Sequence, residues 1–238
     1  MPVSTSDSRR ADAFDRPPSP PPSRSRLWLE FVNTDAAAHA TRGDLLRDFD
    51  SLVSWLTAFG ALEHDRAGGI RRRAVLQPAA AAATLVDARR VRAALRMLAE
   101  RGNTSARVCD DAVTEINRVL GRSAGTRRLE RQDDGGYTRT FAPTGDAFAG
   151  LMIPIVESAS DALVNGDLAR VRQCADLRCH RVFADNSKNG LRRWCDMGTC
   201  GNRAKAATHR ANRLARATRP PARGRDRDRD RDRDRDVG

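Results

Sequence analysis

Four of the five cysteines in this chain lie between positions 174 and 200, and their spacing is that of a metal site. Cys174-x4-Cys179 and Cys195-x4-Cys200 are two matched pairs with a hairpin-length insert between them, followed directly by Gly201-Asn202-Arg203. Paired thiolates arranged in this way gather four sulfurs round one tetrahedral ion. A soft four-sulfur set suits a single structural Zn2+, and the spacings depart from those of ferredoxin-type clusters. Disulfides and plain buried thiols are the competing readings. Two symmetric pairs in a chain whose first residues lack an apolar signal segment speak against both. His180, beside Cys179, is the rival ligand, and the symmetry of the pairs favours four sulfurs over three and an imidazole.

The elements that must position these thiolates are short. Arg181–Asp185 and Leu191–Trp194 read as two strands, joined through Asn186-Ser187-Lys188-Asn189-Gly190 by turn chemistry. Such a hairpin brings the first pair beside the second, with Phe183 and Trp194 covering the ion. Beyond Cys200 the pattern becomes helical. Ala204, Ala207, Ala211, Leu214 and Ala215 share one face, and Lys205, His209, Asn212, Arg213 and Arg216 another. From Arg170 to Arg219 there are thirteen Lys or Arg against three Asp, so most of the chain's net charge of +12 sits here. A metal knuckle that launches a basic helix is a device for contacting phosphates. Arg192, Arg193, Arg203, Lys205, Arg210, Arg213 and Arg216 are the candidate contacts, with Arg203 placed equally well to brace the metal loop.

Upstream, residues 1–26 are rich in Ser, Pro, Arg and Asp and read as a disordered tail. Order begins at Leu27–Thr34, a strand or the first turn of a helix. Asp50–Leu56 reads as a capped helix closed by Gly60. The longest helical pattern runs from Ala82 to Arg101 and ends at Gly102. Leu85, Ala88, Val91, Leu95 and Leu98 line its apolar face, and Arg89, Arg90, Arg92 and Arg96 its other side. A further helix carries Val108, Val113, Ile116, Val119 and Leu120, with Cys109 at a buried position. Leu129–Gln132 and Tyr137–Phe141 form a hairpin across Asp133-Asp134-Gly135-Gly136. A helix follows from Phe148 to Leu163, with Pro154 either kinking it or marking its start. His39 and His64 stand alone in polar loops.

These segments give a fold of α+β class, predominantly helical. A multi-helical domain over 27–173 precedes a four-cysteine module over 174–218, and 219–238 form a second disordered tail. That tail includes six alternating Arg-Asp repeats, whose charges cancel over a Debye length. No run is long and apolar enough to span a membrane, so no membrane partner is expected. The sequence offers no Gly-rich phosphate loop, nucleophile elbow or His/carboxylate cluster, which points away from an enzyme. A convergent cleft of Glu30, Asn33 and Arg89 is the one arrangement that would reopen that question. The pI near 11 calls for a polyanionic partner.

Two blocks of residues carry a resemblance. Cys174-x4-Cys179 with Arg193-Trp194-Cys195-x-Met197-x-x-Cys200-Gly201-Asn202-Arg203-Ala204-Lys205 resembles the CGNR zinc-finger family of bacterial proteins. Leu29-Glu30-Phe31-Val32-Asn33-Thr34, Leu52-x-x-Trp55-Leu56 and Asp87-Ala88-Arg89-x-Val91-Arg92 are similar to the ABATE domain that precedes this finger. The resemblance implies one zinc on the four cysteines and a stress-linked transcription regulator that binds DNA. It leaves sensing or homodimerisation to the helical domain. The expected protein is therefore a non-enzymatic, zinc-binding regulator on duplex DNA, cytoplasmic and nucleoid-associated. An RNA-binding or ribosome-associated protein is one alternative, and a ligand-binding protein with the finger as scaffold another.

Overall fold

The computed structural model describes residues 26–38, 43–101, 104–131, 135–144 and 148–217. The expected tails, Arg26 apart, lie outside the described residues, as do His39, Gly102, Gln132, Asp133 and Asp134. Seven α-helices occur among the described residues: α1 Leu27–Val32, α2 Phe49–Ala58, α3 His64–Leu76, α4 Pro78–Arg101, α5 Ala106–Arg122, α6 Ile153–Val164 and α7 Asn202–Ala217. Two antiparallel strand pairs accompany them. β1 Gly125–Arg131 runs against β2 Tyr137–Pro143, and β3 Val171–Gln173 against β4 Val182–Ala184.

Helix α4 is the axis of the upstream region. Its 24 residues give a rod of about 36 Å, and α1, α2, α3, α5 and β3 all pack against it. Pro78 opens it, where a missing N–H costs nothing. Ala88, Val91, Leu95 and Leu98 face the core. They join one cluster with Trp28, Phe31 and Val32 of α1, Leu52, Val53 and Leu56 of α2, and Ile155, Val156 and Ala159 of α6, which packs on α1 and α5. Trp55 meets Phe31 edge-on at 5.3 Å and stacks on Phe59 at 4.4 Å. Burying each such side chain contributes roughly 1.5–3 kcal/mol.

Local chemistry sets the helix ends. Asp48, rather than Asp50, caps α2 by accepting the Ser51 N–H at 2.7 Å. Gly60, at φ +67°, lets the chain reverse so that the Ala61 N–H reaches the Leu56 carbonyl at 2.8 Å. Ser105 caps α5. Pro154 stands in the first turn of α6 and marks its start; Phe148, Leu151 and Met152 are buried in the turn before it.

One open reading is settled here and three expectations are corrected. Leu27–Val32 is helical, which settles the ambiguity between strand and helix. His64 is not in a loop but opens α3, which buries only Ala67 and Ile70. Val113 is exposed on α5, and Cys109 is half-buried rather than buried. Most consequentially, Arg92 and Arg96 are buried, because the segment after α1 brings carboxylates and a hydroxyl over that side of α4. Arg92 donates to Asp44 and to the Thr34 hydroxyl, and Arg96 donates to Asp35 and Glu100. A buried guanidinium survives when its planar fork is matched in this way.

Candidate metal centre

The first cysteine pair is placed by the short sheet. Cys174 follows β3 and Cys179 precedes β4, and the Cys174 N–H donates to the Arg181 carbonyl at 2.9 Å. The hairpin that seats the knuckle therefore pairs β4 with the strand before the first cysteine. Leu191–Trp194, expected as the second strand, forms none; Asp185 organises that loop instead. Buried Asp185 accepts hydrogen bonds from the Ser187 hydroxyl and N–H and from the Arg192 N–H. The Ser187 hydroxyl, followed by those backbone N–H groups, holds its carboxyl below the usual range against the cost of burial. The Arg193 carbonyl then accepts from the Ala175 N–H at 2.8 Å and joins the two knuckles.

In the second pair Cys195 stands just before a π turn, Met197–Gly201, and Cys200 lies on it; the turn runs into α7. Asp196 starts it by accepting from the Thr199 N–H at 2.7 Å and hydroxyl at 2.9 Å. Each residue of the Gly201-Asn202-Arg203 run has a steric or bonding reason. A Cβ on Gly201 would lie 2.5 Å from Met197 Sδ. The Asn202 amide donates to the Gly198 carbonyl at 3.2 Å, and Arg203 pairs with Asp176 of the first knuckle at 2.7 Å. Arg203 is thus the brace across the metal loop.

All four sulfurs converge. The Sγ atoms of Cys174, Cys179, Cys195 and Cys200 lie within 4.8 Å of one another, with Cys179–Cys195 at 3.6 Å and Cys195–Cys200 at 3.8 Å. A tetrahedral ion with Zn–S bonds of ~2.3 Å requires sulfurs ~3.8 Å apart, so the donor set fits zinc. Burial and the neighbouring Cys179 push the Cys195 thiol up, and burial pushes Cys200 up to about 11. Burial also opposes ionisation of Cys174, but backbone hydrogen bonds from Cys195 and Asp176 outweigh it and hold this thiol low. Four thiolates this close need a cation, and a dication inverts their balance. Phe183 is buried with the cysteines and Trp194 packs against them. His180 is exposed and not part of the cluster, so the ligand set is four sulfurs. Four protein ligands close the coordination sphere; the site is structural, with no position left for a substrate.

The expected phosphate contacts divide into two groups. Arg192 is occupied near the metal: it donates to the carbonyls of Trp194 and Cys195 and lies over the Phe183 ring. Arg193 lies over Trp194 at 5.3 Å. Lys205, Arg210 and Arg213 are exposed on α7, with no ion-pair partner among the described residues, and Arg216 falls in its last turn. The cleft that would have reopened an enzymatic reading does not assemble. Glu30 pairs with Arg181, Asn33 binds the Val182 backbone, and Arg89 donates to the carbonyls of Leu46 and Arg47. Sequence reasoning missed Asp176 and Asp185, whose signal was faint: each acidic residue stands within five positions of a cysteine or in the insert, amid basic neighbours.

Comparison with known proteins agrees with this division of the chain. The CGNR zinc-finger model matches residues 170–213. The ABATE model, described as "putative stress-induced transcription regulator", matches residues 25–166. No curated protein matches the chain. The ABATE match spans more than half of the sequence, and with a CGNR zinc finger and its four-sulfur centre at the C-terminal side, the chain is a zinc-binding regulator that belongs to the ABATE family.

Proposed function

We propose that this regulator binds duplex DNA through α7, and that the zinc centre fixes the base of that helix. The observation that carries the reading is the character of α7. It spans 16 residues without a single acidic side chain, and none of residues 202–215 is buried. A helix that buries none of these residues depends on something else for its place. Here the π turn and the Arg203–Asp176 pair anchor one end. Lys205 and Arg213 lie about two turns apart on one side, with Arg210 between them and Arg216 one turn further on in the sequence, so the helix can follow a phosphate backbone. Arg193 supplements them from the metal loop. Trp194 is packed against the sulfur cluster with Arg193 over its ring, which favours a duplex over a single strand held by base stacking.

The family description supports a stress-responsive role; with duplex DNA as partner, the protein would act at the nucleoid. A second copy would dock through the helical domain, where Val75, Leu76 and Val86 are exposed around α3 and α4. Sedimentation of the zinc-loaded chain over a concentration series reads that association.

The deciding experiment is a salt series of binding to mixed-sequence duplex DNA. Lys205→Gln/Arg210→Gln/Arg213→Gln is compared with the parent chain, both with one zinc bound. Loss of three phosphate contacts flattens the slope of log affinity against log salt by about 2.7. An unchanged slope, or no binding by the parent, removes the reading.

A further inference from the structure

The three residues that follow the metal ligand Cys179 are all held by the helical domain. The Arg96 guanidinium on α4 donates to the His180 carbonyl at 3.1 and 3.3 Å. Arg181 pairs with Glu30 of α1 at 3.0 Å. Asn33, just beyond α1, reads both polar groups of Val182: its amide donates to the carbonyl at 2.8 Å, and its oxygen accepts the N–H at 2.9 Å. These contacts are not at the rim. Asn33 is 2% exposed and Arg96 9%, and the Val171 and Val182 side chains belong to the same apolar cluster as Trp28 and Leu95. Arg96 is itself locked from the far side by Asp35 and Glu100.

We infer that Asn33 and Arg96 are positioning residues for the zinc site, so that zinc occupancy and the stability of the helical core are thermodynamically linked. Cys179 cannot shift to open the sulfur cluster without dragging residues 180–182 off these partners. Conversely, a loosened α1–α4 junction withdraws the support that holds Cys179 within reach of the other three sulfurs. Linkage makes the two effects equal: whatever the helical domain adds to zinc affinity, zinc returns to the helical domain. Metal status then reaches a region that contains no metal ligand, through two buried side chains rather than through the chain connection.

The test uses the full chain in a Trp194→Phe background, so that Trp28 and Trp55, both in the helical core, are the only indole reporters. Zinc affinity is read by competition with a chromophoric chelator, and core melting by fluorescence across a zinc series. Asn33→Ala and Arg96→Lys are each expected to weaken zinc about tenfold and to shrink the zinc-dependent rise in core melting temperature. Val53→Ala, on α2 and packed within the helical core, is the control: it lowers the melting temperature and leaves zinc affinity unchanged. Arg181→Ala removes only the partly exposed pair with Glu30. It is expected to weaken zinc two- to threefold, and it carries the test if either buried variant fails to fold. Equal zinc affinity in parent and interface variants overturns the inference. So does a core whose melting ignores zinc, or a Val53→Ala loss of affinity matching that of Asn33→Ala.

Discussion

The helical region and the finger are held together by different physics, and the contrast explains what each can do. The helical region buries large apolar side chains in one continuous cluster, with Trp28, Phe31, Leu52, Leu56, Leu95 and Ile155 at its centre. The finger's own cluster consists of three buried cysteines and Phe183, edged by Trp194 and Cys195. Such a module is too small to offset its ordering entropy by burial. It substitutes metal–sulfur bonds, charged side chains aimed at backbone atoms, as at Asp185 and Arg192, and the Asp176–Arg203 ion pair. A large core tolerates loss of one member; a four-ligand centre does not.

The sharpest way to break the comparison is to take the metal away. Chelation of zinc, or Cys195→Ser, is expected to expose residues 174–217 to proteolysis, because structural zinc supplies on the order of 10 kcal/mol in such modules. The helical fragment should survive digestion with Trp28 and Trp55 still buried, at a lowered melting temperature. A protected finger in the serine variant would contradict the account.

Leu52→Ala probes the other side. Leu52 is fully buried on α2, and its truncation should cost about 2–5 kcal/mol in denaturant unfolding while the chain still binds one zinc. Gly201→Ala is smaller in effect and confined to the finger. The added methyl meets the flexible Met197 thioether, so a cost of about 1–3 kcal/mol is expected, read as weaker zinc retention with unchanged helical content.

The smallest effect concerns acid. Burial works against the Asp44 carboxylate, but its hydrogen bond from Arg92, a backbone N–H and the Arg89 charge outweigh it and hold the group below its ordinary value of 3.8. A lowered folded-state value means that this contribution is fully present above pH 3.8 and is lost as pH falls through the folded value. Asp44→Asn should therefore show a shallower fall in melting temperature below about pH 4 than the parent does.

Sequence spacing disclosed the metal ligands completely, because thiolate chemistry is local: two pairs and a turn suffice. Most helices were legible for the same reason, since the periodicity of α4, α5 and α6 acts within a few residues, although the start of α2 was read at Asp50 where Asp48 supplies the cap. What stayed hidden depends on partners far along the chain. Arg92 and Arg96 look like the solvent side of α4 until Asp44 and Asp35, some fifty to sixty positions earlier, are folded over them. β4 was paired with the wrong neighbour because Asn-Gly turn chemistry in the insert is a stronger local signal than the three residues of β3. Helix α3 escaped because Gly68-Gly69 and Arg71-Arg72-Arg73 leave it only two buried positions.

The paired bonds of Asn33 to Val182 also bear on solubility. A two-stranded sheet as short as β3–β4 has two edges, and an open edge is a template for pairing with another chain. On β4 one side chain stands where a third strand would run and occupies both backbone polar groups of Val182. Replacing Asn33 would therefore uncover a sticky backbone edge beside a cluster of thiols, where wrong strand pairing and wrong sulfur pairing could begin at the same place.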